Sequence, residues 1–292
     1  SGATSGVTDS LTYKYNRDSN GQLTDNKLNY LHGTGAATKF GPAQSANNYT
    51  YDPIGNLTSD VQSHLGKVAW TVYGKIDTIK RGTDTTITYD YNTGQERISQ
   101  TLTTSSSSLT TWYVRDAKGN TIALYDNKLG NINWREHHLY GSSRLGMWQP
   151  NINLTTGGAS AKWDTAGYKL YELNNHLGNV LSTISDKRTA VSGYYIAAVT
   201  TAQDYYGFGA LMPGRQFKTD SNYRYGFNGK ENDNEVKGVG NEQDYGMRIY
   251  DPRVGKFLSV DPASSQFPSL SSYQFASNTP LSSTDFDGLE SK

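Results

Sequence analysis

The sequence predicts an all-β fold of repeated antiparallel hairpins. Three observations carry this: a recurring aromatic–turn–aliphatic unit, regularly placed turn glycines, and a Tyr-rich composition without long apolar runs. Tyr occurs 22 times against 8 Phe. A Tyr ring can be buried while its hydroxyl still finds a partner, which suits half-buried strands better than an oily core. At 292 residues the chain is long enough for one large β domain or two ordinary ones.

The unit appears as YKYNRDSNGQL (13–23), YTYDPIGNL (49–57), VYGKI (72–76), YDYNTGQERI (89–98), YVRDAKGNTI (113–122) and YELNNHLGNVL (171–181). Tyr-x-Tyr puts both rings on one face of a strand, because side chains alternate with period two. Tyr51, Tyr91 and Tyr113 are therefore expected to point inward. Asp-Pro or Asn-x-Gly then turns the chain, with Asp capping the backbone and Gly taking positive φ. Gly55, Gly74, Gly94 and Gly119 are spaced by 19, 20 and 25 residues, a hairpin-length period. One hairpin is marginal alone, so many must pair into one sheet, and that sheet must curl or close. TTSSSSLTT (103–111) reads as a hairpin tip, and NINLTTGGASAKW (151–163) as a surface excursion.

Lys+Arg and Asp+Glu number 27 each, so no overall basic field exists to hold nucleic acid or anionic lipid. Zero Cys removes disulfides, thiolate chemistry and Cys-based metal sites. No apolar stretch approaches a membrane span. The start, SGATSGVTDS, lacks Met and any signal pattern, so the chain reads as a piece of something longer or a processed product.

The Tyr-Asp units resemble those of RHS/YD-repeat proteins. YELNNHLGNVLSTISDK (171–187), the long run YRYGFNGKENDNEVKGVGNEQDYGMRIYDPRVGKFLSVDP (223–262) and YQFASNTPLSSTDFDGL (273–289) resemble the C-terminal RHS-associated core domain, in its Bacteroidetes form. The resemblance implies a β-strip wound into part of a hollow shell, residues 1–204, ending in an inward core plug, residues 205–292. It implies a secreted or cell-surface protein whose partners are its own upstream shell, a downstream toxin segment that this sequence does not contain, and a secretion machinery. No cofactor is implied.

In cleaving members the core domain is similar to an aspartic autoprotease that cuts just after a terminal Asp-x-x-Gly-Leu. Carried onto this chain, the two aspartates are Asp261 of SVDPAS and Asp285 of TDFDGL, and the bond is Leu289–Glu290. Two close carboxylates share a proton: the charged one activates water and the protonated one polarises the carbonyl. The chain departs from the pattern in its first motif, Asp-Pro-Ala-Ser (261–264), which lacks the usual Gly, and at Phe286, where Pro is usual. It also runs three residues past the bond, to Lys292. Asp-Pro dipeptides make good turns in their own right, and Asp52 and Asp251 are read as turn residues only.

Other candidates are weaker. His137 and His138 point to opposite faces of a strand, which disfavours shared metal ligation with Glu136. His176 lies in a turn. The GFG (207–209) and GVG (238–240) runs lack the strand-to-helix setting of a phosphate loop. KENDNEVKG (230–238) reads as a solvated helix turn or loop. Besides a toxin shell, the chain fits a noncatalytic teneurin-like adhesion module whose Tyr face binds glycans. A carboxylate glycosidase is disfavoured, because no paired Glu motif stands out.

Overall fold

The computed structural model describes residues 9–35, 44–156, 163–219 and 223–289. The described chain is almost entirely antiparallel β. Strands β1 (Asp9–Arg17) and β2 (Leu23–Gly35) form a separate hairpin. The main sheet begins with β3 (Tyr49–Tyr51), β4 (Leu57–Asp60), β5 (Leu65–Trp70), β6 (Ile76–Arg81), β7 (Thr85–Tyr91) and β8 (Arg97–Thr103). It continues through β9 (Ser108–Arg115), β10 (Thr121–Asp126), β11 (Asn133–Tyr140), β12 (Arg144–Trp148) and the short β13 (Ile152–Asn153). It ends with β14 (Lys169–Asn174), β15 (Val180–Val191), β16 (Tyr194–Tyr205) and β17 (Leu211–Lys218). Fourteen of these strands lie side by side in chain order, with β13 paired onto β11. The sheet runs on past residue 204, its last hairpin spanning the expected junction with the plug.

The repeat is a turn with one hydrogen-bond pattern. At 18–22, 52–56, 71–75, 92–96, 116–120, 175–179, 206–210 and 226–230, the first residue's N–H donates to the fifth residue's carbonyl. The fourth residue's N–H donates to the first residue's carbonyl. The fourth residue has positive φ in every case. Seven of the eight fit a type I turn followed by a left-handed residue and a bulge, a common hairpin closure; the turn at 226–230 differs, because Asn228 is also at positive φ, 50°. Where the first residue is Asp, Asn or Thr, its side chain caps the turn: Asp52 Oδ1 accepts from the N–H groups of Gly55 and Asn56, and Asp116 Oδ1 from those of Lys118 and Asn120. Gly94 departs from its expected role, because the left-handed residue in that turn is Gln95, at φ 63°.

The Tyr-x-Tyr alternation holds. In β7, Ile87 and Tyr89 are buried while Thr88 and Asp90 are exposed. Tyr113 is buried, and Tyr51 and Tyr91 are partly buried against the core. One core cluster joins sheet residues such as Leu57, Ile79 and Ile87 to Val236, Ile249, Val254 and Leu258 of the C-terminal part. A second is aromatic and belongs mainly to that part: Phe227, Tyr245, Tyr250, Phe257 and Phe275.

Residues 223–289 form the body against which the sheet packs. They contain β18 (Glu231–Asn232), the single-turn helix α1 (Asn234–Lys237), β19 (Gln243–Asp244), β20 (Ile249–Asp251) and β21 (Lys256–Phe257). Tyr273 Oη donates to the carbonyl of Gly55, in the β3–β4 turn, over 2.6 Å. Tyr250 Oη donates to the carbonyl of Phe208, in the β16–β17 turn, over 2.8 Å. The body therefore touches both ends of the sheet. Laid flat at ~4.8 Å per strand, such a sheet would be roughly 60 Å wide. A body of this length is only about 30 Å across. The sheet must curl around it.

Much of that contact is ionic and buried. Arg97 of β8 pairs bidentately with Asp233 at 2.7 and 2.8 Å and reaches Asp244 at 3.2 Å. Arg224 pairs with Glu136 of β11 at 2.6 Å, and buried Lys237 lies 3.4 Å from Asp60 of β4 and 2.9 Å from Asp251. Removing one partner of a buried pair strands the other charge, at a cost of about 3–5 kcal/mol. The 230–238 stretch is thus not the solvated segment its composition suggested. Val236 and Asp233 are buried, and Lys237 finds its carboxylates inside.

Candidate functional site

Asp261 and Asp285, 24 residues apart in sequence, are both buried. Two features return the chain between them. Asp261 leaves β21 through a turn in which its N–H donates to the carbonyl of Ser272, and its Oδ1 accepts from the N–H of Ala263 at 2.8 Å. The chain then reverses at Ala276, Ser277 and Asn278, all at positive φ.

The residue that joins the two carboxylates is Arg248, which sequence reading did not single out. Its Nη2 lies 3.0 Å from Asp261 Oδ2 and 3.9 Å from Asp285 Oδ2. The two carboxylate oxygens are therefore no more than about 7 Å apart. The guanidinium carbon lies 3.8 Å from the centroid of the Phe257 ring. Arg248 Nε donates to the carbonyl of Gly288, and Nη1 donates to that of Ser272 at 3.3 Å. The same side chain thus pairs with Asp261, faces Asp285 and binds the backbone next to Leu289.

The chain end is docked by further contacts. Gly288 N–H donates to Asp285 Oδ1 at 2.7 Å, Leu289 N–H to Asp287 Oδ1 at 3.2 Å, and Met247 N–H to the carbonyl of Asp287. Gly288 has φ +92°, and a Cβ there would come within 2.9 Å of the Arg248 nitrogen, so only Gly fits. Phe286, at the position where Pro is usual, is exposed, and its carbonyl accepts from Lys230 Nζ. Leu289 is half-buried, and Glu290, the far side of the expected bond, lies outside the described residues.

Burial pushes the Asp285 carboxyl up to about 6, against the lowering effects of the Gly288 N–H and Arg248. Its Oδ2 is buried without a hydrogen-bond partner. Burial pulls the Arg248 guanidinium down to about 10, although Asp261 and Asp285 favour its charge. One carboxyl that carries a proton more readily than usual thus sits beside another facing a cation.

Asp52 serves its turn as expected. Asp251 caps a turn, its carbonyl accepting from the N–H of Gly255, but it is also an ionic hub, with Lys237 at 2.9 Å and Arg253 at 3.1 Å. Burial disfavours its charge, yet Arg253 and Lys237 hold its carboxyl well below the usual range. His138 is buried with Nε2 3.1 Å from Glu136 Oε2, while His137 packs edge-on to Trp134. Although burial opposes its ionisation, Arg224 and His138 bring the Glu136 carboxyl down to about 2. His176 is exposed in its turn. No helix among the described residues is long and apolar enough to cross a membrane.

In fold, the chain is a curled antiparallel β-strip packed on a C-terminal body, and it is similar in fold to solved Tc toxin structures. The likeness is to the crystal structure of TcdB2-TccC3-Cdc42, with a TM-score of 0.62 and 17% identity over 96% of this chain and 13% of that one. The Photorhabdus luminescens Tc holotoxin pore gives a TM-score of 0.60, also at 17% identity over 96% and 13% of the two chains. In sequence, the chain is 24% identical to Salivary gland surface protein 1 of Aedes aegypti, over 90% of its own length and 7% of the relative's. It is 35% identical to toxin subunit YenC1 of Yersinia entomophaga, over 30% of its length and 8% of that protein's. The chain thus spans less than a tenth of the length of either relative. No protein-family model matches it.

Proposed function

We propose that this chain is the C-terminal section of the shell of a secreted polymorphic toxin of Bacteroidetes type. The strip, residues 1–204, serves as wall, and residues 205–292 serve as plug. A toxin segment downstream of Lys292 lies inside the completed shell and is released by one self-cleavage at Leu289–Glu290. The observation that carries this reading is Arg248, whose guanidinium faces Asp261 and Asp285 and binds the Gly288 carbonyl.

In the proposed step, water adds to the Leu289 carbonyl carbon. Its proton passes to Asp261, and the proton held by Asp285 passes to the carbonyl oxygen. Collapse breaks the C–N bond as Asp261 gives its proton to the departing nitrogen and Asp285 recovers one from the tetrahedral hydroxyl, leaving a Leu289 carboxyl and a free Glu290 amine. Arg248 positions the segment. Because Asp285 must be protonated and its carboxyl lies at about 6, cleavage speeds up as pH falls through 6 and slows above it.

The test is the intact mass of a chain extended by some tens of residues beyond Lys292. The parent is expected to yield the fragment ending at Leu289, faster at pH 5 than at pH 8. Asp261→Asn and Asp285→Asn are each expected to abolish it, while Asp52→Asn is cut normally. Unchanged cleavage in both Asn variants would refute the assignment. The similarity to a salivary gland surface protein, which spans nearly the whole chain, favours a second reading as a noncatalytic, glycan-binding adhesion module. That reading expects no cleavage in the parent at any pH.

A further inference from the structure

The β15–β16 hairpin extends well beyond its neighbours. Strand β14 pairs with β15 only across 180–185, and β17 pairs with β16 only across 201–205. Between these limits the two strands pair with each other alone, from Arg188↔Ala197 to Val191↔Tyr194. Every residue from 187 to 197 is exposed. An isolated two-stranded ribbon is marginal in water.

The chemistry of this arm is unusual for a free surface. Val191, Tyr194 and Ile196 lie on one face, and Ala190, Tyr195 and Val199 on the other. Tyr194 is 59% and Tyr195 63% exposed. From Lys187 to Gln203 the sequence is KRTAVSGYYIAAVTTAQ, with two cations at the base and no carboxylate. Arg188 lies over the Tyr195 ring at 4.8 Å. Natural edge strands are normally blunted by charge or Pro. Strand β17 follows that rule with Pro213, Gly214 and Arg215, but the arm does not.

We infer that the arm is a membrane-docking element that inserts its tip into an anionic lipid surface. A flat protein surface, or edge pairing with a second copy, would cover one face or one edge and leave the other apolar face wet. A lipid interface surrounds both faces. Tyr favours headgroup depth, where its ring and hydroxyl are both satisfied, and Lys187 and Arg188 meet lipid phosphates. The unpaired backbone groups along the arm's edges limit entry to that depth. The net charge of zero describes the molecule as a whole, whereas the arm is locally cationic.

The absence of Cys allows a unique environment-sensitive label at the tip through Ser192→Cys. Vesicles of phosphatidylcholine mixed with phosphatidylglycerol are expected to shift its emission to the blue. Vesicles of phosphatidylcholine alone should do so far less. Replacing Lys187 and Arg188 together by Ser should weaken partitioning by roughly tenfold to thirtyfold. Tyr194→Ser with Tyr195→Ser should abolish the shift while the far-UV spectrum stays unchanged. No shift with either vesicle would overturn the inference, as would a lipid-independent shift that grows with protein concentration, which would mean a second copy covers the arm.

Discussion

At the scale of single residues, the charges that matter are inside. Glu242 is buried with neither carboxylate oxygen hydrogen-bonded, and Lys237 Nζ is 3.8 Å away. Burial pushes its carboxyl from 4.5 up to about 8, with Asp233 and Asp251 adding and Lys237 opposing. A carboxyl raised by folding binds its proton more tightly in the folded state. The stability linked to it is therefore present below pH 4.5 and falls as pH rises toward 8. Glu242→Gln keeps the shape and removes the titration. Urea midpoints at pH 5 and pH 9 should show the variant near the parent at pH 5 and above it at pH 9, by on the order of a few kcal/mol. Equal differences at both pH values would contradict this. None of this was legible in the sequence, nor was Arg248. Asp60 and Asp233, which pair with Lys237 and Arg97, lie far away along the chain, and a lone charge leaves no periodic signal.

Hairpins, by contrast, are written locally. Six of the eight turns are specified within five residues by a capping Asp, Asn or Thr and a left-handed fourth position, so their existence and spacing could be read directly; those at 206–210 and 226–230 begin with Tyr and Gly and lack that cap. The error at Gly94 is instructive. In Asn-Thr-Gly-Gln-Glu the glycine falls one place early, and Gln95 carries the strained angle. Gln95→Gly should stabilise the protein by roughly 0.5–1 kcal/mol, because Gly adopts positive φ without the Cβ penalty. The check is the urea midpoint, and a decrease would mean that the Gln95 side chain supplies something the turn geometry does not reveal. The tyrosines were legible for the same local reason, since alternation fixes their face. What they pack against was not, because Val236 and Ile249 come from far down the chain.

For the whole molecule, the central claim is that one β-strip curls around residues 223–289 and presents the Asp261–Arg248–Asp285 cluster at the end of that body. Curling was expected from the need to cover edges. What fixes it is the pair of Tyr hydroxyls, Tyr273 on the β3–β4 turn and Tyr250 on the β16–β17 turn. The most direct measurement is a distance between spin labels placed at the two ends of the sheet, through Ile54→Cys and Arg215→Cys, both on exposed side chains in a chain without native Cys. The curled strip predicts a narrow distribution centred well below about 40 Å, set by a body about 30 Å across. A distribution near the roughly 60 Å of a flat sheet would contradict it.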